Sequence, residues 1–256
     1  MAKPDLKSRI SAWRNGSDGF FKWIADTKPM IPSEKGGYEP YTVPNDEVRE
    51  AIRQALDGGF ATVVFCWPRR HGKTVVSALI VVWRFLTRRT QTVAIVANSE
   101  RQSVDTAFKL AKTIIEQTPY SKLLVDEGSI KVGADSIAYE ALGNVIQGFP
   151  ANAASLYGKK LSVAQVSELH AARTDVVYQT LASSTIDTDD GLVLVDSTTG
   201  SRSSPLFTLA QVAERGADDR HGENSDRGGG TLLRPGLGPN HLQFGRQHQE
   251  SLQPLP

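Results

Sequence analysis

The stretch from Ala61 to Trp67 is uncharged and almost wholly apolar, runs into the polar loop Pro68-Arg69-Arg70-His71-Gly72, and gives way at Lys73 and Thr74 to a second apolar stretch that reaches Leu86. No other feature limits the fold as much. A strand with apolar side chains on both faces has to be covered on both, as in a parallel sheet between helix layers. Thr92 to Ala97 reads as a second buried strand, followed by a helix whose apolar positions Val104, Ala107, Phe108, Ala111, Ile114 and Ile115 recur at helical spacing, with Ser99 as its N-cap. Leu161 to Val166 and Leu192 to Val195 are further strand candidates, and Ser129 to Val145 is expected to hold a small antiparallel excursion. The expected fold class is α/β: a mostly parallel sheet flanked by helices in three layers.

The flanks read differently. Residues 1–57 form a proline-dotted lead-in with Pro29, Pro32, Pro40 and Pro44, closed by a helix from Asp46 to Leu56 that Asn45 caps. Residues 58–215 hold the core. In residues 216–256 helical and strand periodicity stops and glycine and proline crowd together, so this tail is expected to be disordered or truncated.

Charge is balanced, with 29 Lys and Arg against 28 Asp and Glu, so no global basic field advertises nucleic acid and any DNA contact must be local. The single cysteine, Cys66, excludes an intramolecular disulfide and reads as core filler. Met1 to Arg14 lacks the apolar stretch of a secretory signal, and Val75 to Leu86, interrupted by Ser77 and Arg84, is too short to span a bilayer. A soluble protein without a membrane partner is expected.

Gly72, Lys73 and Thr74 match the end of the phosphate-binding pattern GxxxxGK[ST], although Trp67 stands at its first glycine. In that pattern backbone N–H groups, here including those of Arg70 and His71, wrap the phosphates. The lysine neutralises β and γ oxygens, and the hydroxyl ligates magnesium. A strand before the loop and a helix after it aim the loop amides and the helix dipole at one point. Arg69 and Arg70 are cations pressed against that point, able to neutralise ground-state charge or to stabilise a transferring phosphoryl group. Hydrolysis also needs a carboxylate at a neighbouring strand end to orient water. Glu168, just after the strand Leu161 to Val166, is the candidate base, and Asp196 is the next place to look. Ser167 stands where an aspartate usually precedes the glutamate, offering a hydroxyl to a metal-bound water but no charge. Ser197, Thr198 and Thr199 form a hydroxyl-rich turn at the same edge that can sense a γ-phosphate.

In this order the set resembles the ATPase domain of the large terminase subunit of tailed bacteriophages, over about Tyr38 to Ala213. The resemblance implies a P-loop NTPase fold of the ASCE kind, an ATP-hydrolysing motor that packages double-stranded DNA into a procapsid, and ATP with Mg2+ as ligands. It implies that Arg69 acts on the γ-phosphate, that Glu168 is the catalytic glutamate, that Ser197 to Thr199 couple hydrolysis to movement, and that Tyr38 and Tyr41 lie on the adenine side. The implied partners are DNA, the portal, the small terminase subunit and further copies of the chain, in the host bacterial cytoplasm. Large terminases continue into a nuclease domain; Asp218, Asp219 and Asp226 lie in a glycine-rich stretch, and nuclease activity is not expected from this chain. Two other readings keep the same fold: a kinase-type phosphotransferase and a non-hydrolysing nucleotide-binding regulator.

Overall fold

The computed structural model describes residues 6–97, 104–150, 153–172, 174–218 and 231–234. Helices Leu6–Trp13 (α1) and Gly16–Thr27 (α2) lead to an antiparallel hairpin, Met30–Pro32 (β1) and Tyr38–Pro40 (β2), and to helix Asp46–Asp57 (α3). Then come Thr62–Cys66 (β3), Lys73–Thr87 (α4), Thr92–Ala97 (β4), a π-helical turn at Val104–Phe108, Lys109–Gln117 (α5) and Pro119–Asp126 (α6). Ile130–Val132 (β5), Ser136–Tyr139 (β6), Asn144–Phe149 (β7), Val163–Ser167 (β8), Val176–Thr185 (α7), Leu192–Ser197 (β9), Pro205–Asp218 (α8) and Thr231–Arg234 (β10) complete the order.

The main sheet has eight strands in the order β10-β3-β9-β8-β4-β7-β6-β5. It is parallel from β10 to β7 and antiparallel only through β6 and β5. Every residue of β3, β8 and β9 is buried, which requires cover on both faces. Alternation along the strands does the sorting. Val63, Phe65, Val93, Ile95, Leu192 and Leu194 join a core with α2, α3, α4 and α5. Val64, Cys66, Ala94, Val96, Val193 and Val195 join the opposite core with Tyr178 and Leu181 of α7 and Leu206 and Leu209 of α8. The three-layer expectation is met, and Asn45 caps α3 by accepting the Val48 N–H at 2.9 Å.

Two expectations need correction, and a third is met and extended. The lead-in is not merely an approach: α1 and α2 bury Trp13, Phe20 and Trp23, with Phe20 edge-on to Trp83 at 5.6 Å and Trp83 donating to the Trp13 carbonyl at 2.7 Å. Phe20, Trp23, Ile24 and Thr27 already stood at helical spacing. The antiparallel excursion expected over residues 129–145 is present as β5 and β6, and it joins the main sheet through β7, which pairs in parallel with β4. Finally, order does not stop at residue 216: α8 runs to Asp218, and Thr231–Arg234 pair in parallel with Thr62–Phe65. An edge strand draws its backbone bonds from its neighbour, a non-local gain that local periodicity does not reveal. The other tail residues, and Asn98 and Ser99 with the expected N-cap, lie outside the described residues.

Asn144, which is buried, anchors the far end of α4. Its amide donates to the carbonyls of Phe85 and Arg88, each at 2.7 Å, while its oxygen accepts the Gln91 N–H at 2.7 Å. Asn144→Ala leaves these main-chain groups unpaired, at about 1–3 kcal/mol for a buried one. Urea unfolding should show a loss of about 3 kcal/mol with little change in m.

Candidate active site

Strands β3, β9 and β8 lie side by side and end at one edge, with Asp196 in register with Phe65 on one side and Ser167 on the other. The loop after β3 turns through two left-handed residues, Arg70 (φ 65°) and Gly72 (φ 75°). Glycine takes that conformation freely, whereas arginine is held there at a cost of about 1 kcal/mol. Helix α4 then begins at Lys73, so its free N–H groups and positive dipole end face the loop, a ready anion site.

The first two side chains of α4 turn inward. Lys73 is buried, and its Nζ lies 3.6 Å from Oε1 of Glu168. Thr74 donates from Oγ1 to Oδ2 of Asp196 at 2.7 Å. Glu168 follows β8 in the left-handed conformation (φ 56°), anchored by its N–H to the Asp196 carbonyl at 2.7 Å. Backbone strain of this kind persists only where the surroundings over-determine it.

Glu168 is tied to the turn after β9. Its Oε2 lies 3.0 Å from Nδ1 of His170 and 3.5 Å from Oγ1 of Thr198, which donates to it. Ser197 Oγ accepts the His170 N–H at 3.1 Å. Gly200 sits where a Cβ would come 2.6 Å from that of His170, so this turn needs glycine for its close approach. The His170 hydrogen bond is the chief reason that Glu168 titrates below the usual carboxylate range; burial opposes it and the Lys73 charge assists.

Asp196 is wholly buried. Its Oδ1 accepts from Gln165 Nε2 at 2.9 Å and from Ser167 Oγ at 3.2 Å, opposite the Thr74 bond to Oδ2. Burial pushes its carboxyl above the ordinary value, and these three donors pull it back. Sequence reasoning ranked Asp196 only behind Glu168. Its weight comes from β9 lying between β3 and β8, which no local pattern announces.

Other expected positions stand apart. Arg69, Arg70 and His71 are exposed, and among the described residues neither arginine side chain has a hydrogen bond or ion pair. His71 Nδ1 lies 2.9 Å from the Arg69 carbonyl. Tyr38 is half-exposed on β2, whereas Tyr41 is packed in the core; neither bonds to the phosphate loop among the described residues. Thr199 is exposed beside the linked pair Ser197 and Thr198. Cys66 is buried, its thiol pushed up to about 11 by burial, in keeping with core filler.

A folded carboxylate held below its unfolded value lends stability that is complete above the unfolded pKa and lost as pH falls through the folded one. His170→Ala should therefore raise the Glu168 midpoint toward the ordinary carboxylate range, read by carboxyl-carbon NMR. It should also shrink the loss of stability on acidification. An unchanged midpoint would contradict the role of His170.

The family described as terminase large subunit, ATPase domain, matches residues 52–213. The bacteriophage HK97 large terminase superposes with a TM-score of 0.63 at 15% identity, over 78% of this chain and 42% of its own. The large terminase ATPase domain of a Thermus phage gives 0.54 at 17% identity, over 80% and 86%. At such identities the structural likeness speaks for the fold alone, and this chain spans less than half the length of the HK97 protein. No curated protein matches the sequence, and among the described residues no helix is long and apolar enough to cross a membrane. The family match covers more than half of the chain and contains the loop, Glu168 and the Ser197 turn, so the chain belongs to the terminase large subunit ATPase domain family.

Proposed function

We propose that this chain hydrolyses ATP and serves as the motor domain of a phage large terminase, driving double-stranded DNA into a procapsid. The observation that carries the proposal is the 3.6 Å approach of Lys73 to Glu168, two side chains delivered by elements on either side of β9. Lys73 and the loop amides hold the β- and γ-phosphates. Glu168, ionised at neutral pH, orients a water beside them and accepts its proton as the water oxygen bonds to the γ-phosphorus and the bond to the β-phosphate oxygen breaks. Magnesium, when bound with the nucleotide, would offset the charge that develops on the phosphates. The Thr74 hydroxyl fits it, and Ser167 reaches the same place only through Asp196. Arg69 acts on the γ-phosphate, and Tyr38 with Tyr41 lies on the adenine side.

The bonds from Glu168 through His170 and Thr198 give a physical basis for coupling, because a change at the γ-phosphate that moves Glu168 must move the turn at Ser197 to Thr199. DNA, the portal, the small terminase subunit and further copies of the chain are the partners in this reading, in the host cytoplasm. DNA cleavage is not part of it.

Lys73→Ala should abolish ATP turnover and weaken nucleotide binding. Glu168→Gln should keep ATP bound and lower kcat by about 10²- to 10⁴-fold. Arg69→Ala should lower kcat more than affinity. Double-stranded DNA should stimulate the wild-type ATPase; turnover that survives Lys73→Ala, or ignores DNA, would refute the motor assignment.

A further inference from the structure

We propose that Asp196, at the end of β9, is the carboxylate that holds the nucleotide's magnesium in this chain, taking the part that Ser167 on β8 cannot play. The inference rests on the ATPase reading above and concerns how the metal is held. Three observations carry it.

The first is contact. Thr74, the loop hydroxyl suited to magnesium, donates to Asp196 Oδ2 at 2.7 Å. That bond turns the hydroxyl proton toward the carboxylate and leaves oxygen lone pairs free for a cation.

The second is the donor set. Asp196 receives Thr74, Gln165 and Ser167, each a group able to donate, and no salt bridge among the described residues reaches it. A buried carboxylate surrounded by donors but without a cation is costly unless positive charge arrives. The charge of Glu168 adds to that cost. Gln165 is also buried and keeps one atom, Oε1, without a partner.

The third is register. Ser167 pairs with Asp196 across β8 and β9, and their side chains touch at 3.2 Å. A carboxylate missing from one strand is thus supplied from the adjacent position of the next. Magnesium asks little more of a protein, since it takes most of its ligands from water and phosphate oxygens. Among the described residues no group of three or more His, Cys, Asp or Glu side chains is placed to hold a metal ion by itself.

The test is the affinity of the full chain for ADP, by calorimetry, with and without Mg2+, and Mn2+ binding to the ADP complex by electron paramagnetic resonance. Asp196→Asn should lower Mn2+ affinity in the ADP complex by about tenfold or more, a larger loss than that in metal-free ADP affinity. Mn2+ affinity equal to wild type would overturn the proposal. If Asp196→Asn does not fold, Asp196→Ser is compared with the exchange that adds Ser167→Asp to it: Mn2+ affinity lost in the first and regained in the exchange supports the proposal, and wild-type affinity in Asp196→Ser overturns it. A wild-type chain that binds no ADP under either condition would instead sink the ATPase reading itself.

Discussion

The insertion of β9 between β3 and β8 is the constraint on which the site depends. Parallel pairing brings the phosphate loop, Asp196 and Glu168 to the same edge, and the register sets Asp196 beside Ser167. The edge collects ligands because strand ends, loop amides and the N-terminus of α4 all point their polar groups there. Asp196 then ties the three strand ends together. It takes bonds from Thr74 of α4 and from Gln165 and Ser167 of β8, and its carbonyl takes the Glu168 N–H. Removing it would loosen the helix, the middle strand and the glutamate together, which is why metal coupling, and not turnover alone, is the discriminating measurement.

Glu168 sits between two different polar environments. On one side Lys73 is buried on a packed helix; on the other, His170 and Thr198 belong to short turns. A carboxylate shared between a buried cation and this hydrogen-bond network links the phosphate loop to the turn after β9.

At the opposite end of α4 the chain is built for stiffness. Trp13, Phe20 and Trp23 pack against Trp83, and Asn144 clamps the helix terminus to the strands. A helix anchored at that end carries Lys73 and Thr74 at the other, where they meet Glu168 and Asp196.

What the sequence by itself determined were the features carried by contiguous residues. The uncharged run at Ala61 to Trp67, the loop ending in Gly72-Lys73-Thr74 and the strands ending at Glu168 and Ser197 fix a parallel α/β core and its polar edge, because burial on both faces and a strand-loop-helix order are local patterns. Only the tertiary structure decided the rest. The pairing of β10 with β3, the bonds of Asp196 to Thr74 and Ser167, the linkage of Glu168 and His170 to Thr198, and the burial of Tyr41 all arise between residues far apart in the chain. Strand order sets those contacts, and it is selected by the summed burial of both sheet faces, a quantity no single segment contains.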